Sequence, residues 1–128
     1  MQALEPFQKQ NYINVETYRK TGVGVKTPVW FVQDDHAIYV RTMAESGKVK
    51  RIRTNRKVKI APCKMDGALI GEWVPATARE VKDDKDIEKK VDRLLDKKYG
   101  LMKKMYAWAE TLRGREYTIL EVNVSEES

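Results

Sequence analysis

Ser46, Gly47, Lys48 and Arg51 open a short basic stretch, Ser46-Gly-Lys-Val-Lys-Arg-Ile-Arg53, which follows Ile38-Tyr-Val-Arg41-Thr42 after a brief turn. A hydroxyl and several cations gathered where a helix starts make a phosphate site, because free backbone N–H groups and the helix dipole add to the cations. Upstream, Lys26-Thr27-Pro28-Val29-Trp30 reads as a strand whose Pro28, Val29 and Trp30 offer an apolar wall to a flat ring. A phosphate grip beside a ring wall suits a nucleotide-like cofactor, a flavin or a relative of one.

Other chemistries find little footing. Cys63 stands alone, which excludes an internal disulfide and any all-cysteine metal site. The single histidine, His36, falls in a turn and is expected in solvent. There is no Ser-His-Asp arrangement and no convincing carboxylate pair. Gly22 and Gly24 precede no helix, so they make no dinucleotide fingerprint. Acids between Asp83 and Asp96 alternate with lysines and read as a salt-bridged helix surface. Trp30 reads as core or ring wall, Trp73 as ring or interface contact, and Trp108 as core.

These residues need a scaffold, and the periodicity supplies one. Asn11 to Tyr18, Gly24 to Val32 and Ala37 to Thr42 are rich in strand formers. Pro28 sends the second of these to an edge or a bulge. Ser46 is the expected N-cap of a helix running to about Thr54, with Val49 and Ile52 on its inner side. Lys57 to Met65 reads as a fourth strand, Asp66-Gly67 as a hairpin turn, and Ala68 to Val81 as a fifth strand bending at Gly71 and Pro75. Ile87, Val91, Leu94 and Leu95 recur at helical spacing, with Asp83 or Asp84 as cap. Leu101 to Leu112 reads as a further helix, and Tyr117 to Val124 as the last strand. The expected architecture is one domain over residues 1–128, mainly β with helices: a six-stranded antiparallel barrel with short flanking helices.

Composition agrees with a folded domain: 41% of the 128 residues are apolar and 34% charged. No apolar run approaches the roughly 18 residues that a membrane-spanning helix needs. The first ten residues lack a signal-peptide pattern, so the expected location is cytoplasmic. A net charge of +6 favours an anionic partner without naming it. Small barrels also bind single-stranded nucleic acid through basic grooves and aromatics. That reading is disfavoured, since Tyr12, Tyr18, Trp30 and Tyr39 follow no nucleic-acid motif.

The phrases TPVWF, YVRT, SGKVKRIR and GEWVPATAREV, in this order and at these separations, resemble the FMN-binding split β-barrel family around pyridoxamine 5′-phosphate oxidase. They lie nearest to its short branch of coenzyme F420-dependent oxidoreductases. The likeness covers Val15 to Val81 and extends more loosely to the end. In the oxidases a strand beginning with Arg and ending with Lys faces the flavin, a Tyr-Thr pair closes the next strand, and Ser-Arg-Lys holds the phosphate. Here Lys26 to Phe31, Arg41-Thr42 and Ser46-Gly47-Lys48 occupy those places. The departures are Lys26 for Arg, Phe31 for Lys, Arg41 for Tyr and Gly47 for Arg. The Trp and Arg motif that grips pyridoxal phosphate is not evident, so the wording leans toward the F420 branch. The resemblance implies a homodimer with two sites at its interface, F420 or FMN as cofactor, and a hydride exchanged with a small organic substrate. A barrel that stores or senses a flavin or haem, or grips nucleic acid, is the alternative.

Overall fold

A computed structural model of the protein describes residues 2–100 and 117–124. After a 3-10 helix at Gln2–Phe7 come β1 (Tyr12–Tyr18), β2 (Gly24–Trp30), β3 (Val32–Gln33), β4 (Ile38–Met43), α1 (Gly47–Thr54), β5 (Lys57–Cys63), β6 (Val74–Val81), α2 (Lys85–Tyr99) and β7 (Tyr117–Val124). The strands form one curled antiparallel sheet in the order β2-β1-β5-β6-β7-β4-β3. The expected helix over Leu101 to Leu112, with Trp108, lies outside the described residues.

Seven strands stand where six are expected, and the difference is Phe31. The expected strand Gly24 to Val32 is cut there into β2 and β3, which lie at opposite edges of the sheet. One extended segment therefore supplies both edges and curls the sheet into a half-barrel. Phe31 leaves the ladder, and its backbone is met by a side chain from far along the chain. The Tyr99 hydroxyl accepts from the Phe31 N–H at 3.1 Å and lies 2.8 Å from the Phe31 carbonyl and 2.7 Å from that of Asn11. Lys98 Nζ donates to the same Phe31 carbonyl at 2.9 Å. A buried backbone left unpaired at this break would be costly, which explains the clasp.

The expected fifth strand is also shorter. Only Val74–Val81 is strand, because the chain from Lys64 to Trp73 lifts off the sheet after a turn at Gly67 (φ 94°) and touches it again through the Cys63–Leu69 bridge. Pro28 does stand on an edge strand.

Alternation sends Ile13, Val15, Val40, Val58, Ile60, Leu120 and Val122 into the main core. Its ends are plugged by helices: Val49 and Ile52 of α1 at one, Leu4 and Phe7 of the 3-10 helix at the other. Each such side chain contributes about 1.5–3 kcal/mol by leaving water. The outer face of β3, β4, β6 and β7 buries a second core under α2, formed by Val32, Tyr39, Val81, Ile119, Val91, Leu95 and Tyr99. Asp84 caps α2 by accepting from the Ile87 N–H at 3.1 Å. No helix among the described residues is long and apolar enough to cross a membrane.

Candidate functional site

The two edges of the sheet diverge away from Phe31. β2 pairs only with β1, and β4 pairs with β3 only at Ile38 and Tyr39. From Val40 to Met43 β4 is hydrogen-bonded on its β7 side alone. The free edges of β2 and β4 approach each other without a ladder between them. This split runs down to the start of α1, since only the turn from Ala44 to Ser46 separates β4 from that helix.

Ser46, Gly47, Lys48 and Arg51 come together there. Ser46 is the N-cap by position, with extended backbone, but its side chain makes no capping bond. Its Oγ is buried and has no hydrogen-bond partner. The first turn of α1 holds no acid. Lys48 is half-buried; burial, with Arg51 beside it, holds its ammonium below the ordinary lysine range. Arg51 Nε donates to Thr17 Oγ1 at 2.6 Å, and its Nη1 lies over Gly47. Among the described residues, neither Lys48 nor Arg51 forms an ion pair. Two neighbouring half-buried cations thus stand beside an unpartnered hydroxyl and the open N–H groups of a helix start, the kind of chemistry that can hold an anion. Thr17 carried no local sequence signal, because it lies 34 residues from Arg51 in the chain.

The other expected site residues lie around the split or away from it. Thr42 shares the inward face of Val40, on the strand that leads into α1. Arg41, the residue before it, points to the opposite face, toward Asp92 at 3.6 Å and the Tyr117 ring at 5.4 Å. On β2 the side chains alternate: Thr27 and Val29 turn toward the barrel, and Lys26 and Pro28 are exposed. Lys26 Nζ sits 5.5 Å from the Trp73 ring, and Trp73 is half-buried in the 64–73 segment rather than on a strand. Trp30 stacks on Tyr99 at 4.2 Å and 8°, so its ring belongs to the α2 contact.

A cleft of about 680 Å³ opens elsewhere, between α2 and the ends of β4, β6 and β7. Of the expected residues it includes Arg41 alone. Glu45, Glu80, Asp83, Glu88 and Asp92 face Arg41, Arg53, Lys82 and Lys89 across it, so it offers no field for an anion. Arg53 is already engaged by both carboxylate oxygens of Glu80, at 2.8 and 3.1 Å. His36 is exposed in the turn before β4, at the end remote from α1, and Cys63 is buried with its thiol pushed up by burial.

No protein-family model matches the chain, and no curated protein matches its sequence. Solved structures do. HutZ, the haem storage protein of Vibrio cholerae, superposes with a TM-score of 0.70 at 15% identity, over 97% of this chain and 92% of its own. An FAD-binding protein of Mesorhizobium loti gives 0.67 at 12% identity, over 98% and 87%. A Listeria innocua protein named after pyridoxamine 5′-phosphate oxidase gives 0.66 at 10% identity, over 98% and 92%. At these identities the likeness speaks for architecture alone, and on that it is consistent: the chain shares the overall fold of these proteins, and its curled antiparallel half-barrel is consistent with a split barrel.

Proposed function

We propose that this protein binds a phosphorylated flavin-type cofactor, coenzyme F420 or FMN, along the split, and serves as an oxidoreductase for a small organic substrate. The observation that carries the reading is the half-buried Lys48 beside Arg51, neither with an ion-pair partner among the described residues, next to the unpartnered Ser46 Oγ at the start of α1. Ser46, Lys48 and Arg51 bind the phosphate, and the Gly47 backbone lets it approach. Thr42 borders the same end of the split, and Thr27 and Val29 line the ring, while Pro28 stands on the outer face of the same strand. Trp30, fixed by Tyr99, stiffens the end of that wall. Lys26 and Arg41 stand further out, where they meet the cofactor's tail or the substrate. The bound cofactor supplies hydride transfer; the protein supplies position and the exclusion of water. The wording of TPVWF and SGKVKRIR favours F420 over FMN, and F420's polyanionic tail suits the excess of cations after Ser46. A homodimer completes the reading, with a second copy closing each site.

Fluorescence-quenching titrations with F420 and FMN test this. Tight binding of F420 with weak binding of FMN supports the deazaflavin reading, and the reverse makes the protein a flavoprotein. Binding of neither overturns the cofactor assignment. Binding without reduction by any donor assigns the barrel to storage.

A further inference from the structure

The Arg51 guanidinium is held from both sides. Thr17, 0% exposed on β1, takes the Nε proton at 2.6 Å. With Nε committed, the two terminal nitrogens are the edge left to bind two oxygens of one anion. On the other side lies Gly47. A Cβ placed there would stand 2.8 Å from Nη1 and 3.4 Å from Cζ. Gly47 has no positive φ to explain its presence, so the space is what this position provides. An unanchored arginine would simply swing away from an added methyl. The bond from Nε to Thr17 resists that movement of Arg51.

We propose that Thr17 is a positioning residue of the anion site and that Gly47 is its counterpart. Together they place a guanidinium from the second turn of α1 where a side chain from position 47 would otherwise reach. The inference rests on the phosphate reading of the α1 N-terminus. It deepens that reading by assigning the geometry of the grip to a residue on a different strand. The ligand class is a phosphate ester, recognised end-on by Nη1 and Nη2 with Lys48 and Ser46 Oγ beside it.

The test compares each phosphate-bearing ligand with its phosphate-free partner: FMN with riboflavin, and F420 with the deazaflavin chromophore alone. Thr17→Val keeps the shape and removes the acceptor. It is expected to weaken FMN and F420 by about tenfold, the scale of misorienting one charge-assisted hydrogen bond, while leaving the phosphate-free ligands unchanged. Thr17→Ser keeps the hydroxyl and is expected to retain affinity within about twofold. Gly47→Ala is expected to weaken the phosphate ligands in the wild-type background and to do so much less in Thr17→Val, because the released arginine then yields to the methyl. Equal loss for phosphate-bearing and phosphate-free ligands would make Thr17 a purely structural residue and overturn the proposal, as would strict additivity of the two substitutions. If Arg51→Ala weakens the phosphate ligands and Thr17→Val does not, the site stands and the positioning role falls. If Arg51→Ala is also silent, the phosphate reading itself falls and the proposal with it. Thr17→Ala, which also removes the acceptor and adds no bulk, carries the comparison should Thr17→Val fail to fold.

Discussion

Lys48 and Arg51 illustrate how little a single side chain says until its neighbours are known. In the sequence both belong to a run of cations that a solvated helix face would explain equally well. In the structure Lys48 is half-buried beside Arg51, and the Arg51 Nε is taken by Thr17. Truncating Lys48 to Ala should cost about 1–3 kcal/mol of cofactor binding, since it removes a charge-assisted hydrogen bond to phosphate. Calorimetric titration checks this, and unchanged affinity would remove Lys48 from the site. Lys98 is the other unusual cation. Burial lowers its pKa to about 8, against Phe31 and Tyr99. The unfolded chain keeps that proton to higher pH, so it binds more protons than the folded chain above pH 8, and stability should rise with pH there. Urea midpoints between about pH 7.5 and 9.5 should show the rise, and Lys98→Met should flatten it. Higher pH must be avoided, because burial pushes the Tyr99 hydroxyl up and its linkage runs the opposite way.

Elements were legible in proportion to how far their cause was local. β1, β4, β7 and α2 follow from alternation or helical spacing, and the structure places them within a residue or two of expectation. Val49 and Ile52 face inward as their spacing requires. The break at Phe31 was not legible, because what makes it tolerable is Tyr99, 68 residues further on. Ala68 to Trp73 carries apolar residues enough for a strand, yet Leu69 and Ile70 are both exposed where a sheet face would bury one of them. The 3-10 helix escaped notice because two buried residues, Leu4 and Phe7, set no period. Of the candidate site, Ser46, Gly47, Lys48 and Arg51 could be picked from local wording and Thr17 could not, whereas the separation of Arg41 from Thr42 onto opposite faces follows from the strand period itself. Tyr99→Phe isolates one of these non-local causes. It leaves the Phe31 N–H without its acceptor and should cost about 1–3 kcal/mol, read as a lowered urea midpoint at unchanged slope. Ile52→Ala, which opens the α1 plug, should cost about 2–5 kcal/mol by the same measurement.

At the scale of the whole molecule, the described ion pairs tie α1 and α2 to the sheet. Burial works against the Asp34 carboxylate, yet Lys90 and the His36 and Ala37 N–H groups hold its pKa below the usual range. Arg53 holds Glu80 down in the same sense, against burial. Both contributions are present above the unfolded carboxylate range and are lost as pH falls through the lowered values, so acid should loosen both helices from the sheet. Circular dichroism across an acid titration, with Asp34→Asn as the control for α2, reads this directly. The Phe31 break has a mechanical meaning as well. The two outermost strands, β2 and β3, belong to one continuous segment, bent at Phe31 and clasped there by Tyr99 and Lys98. The clasp thus works as a hinge pin: it fixes the angle at which β2 and β3 leave the bend, while no rung of the sheet joins β2 to β4 across the mouth.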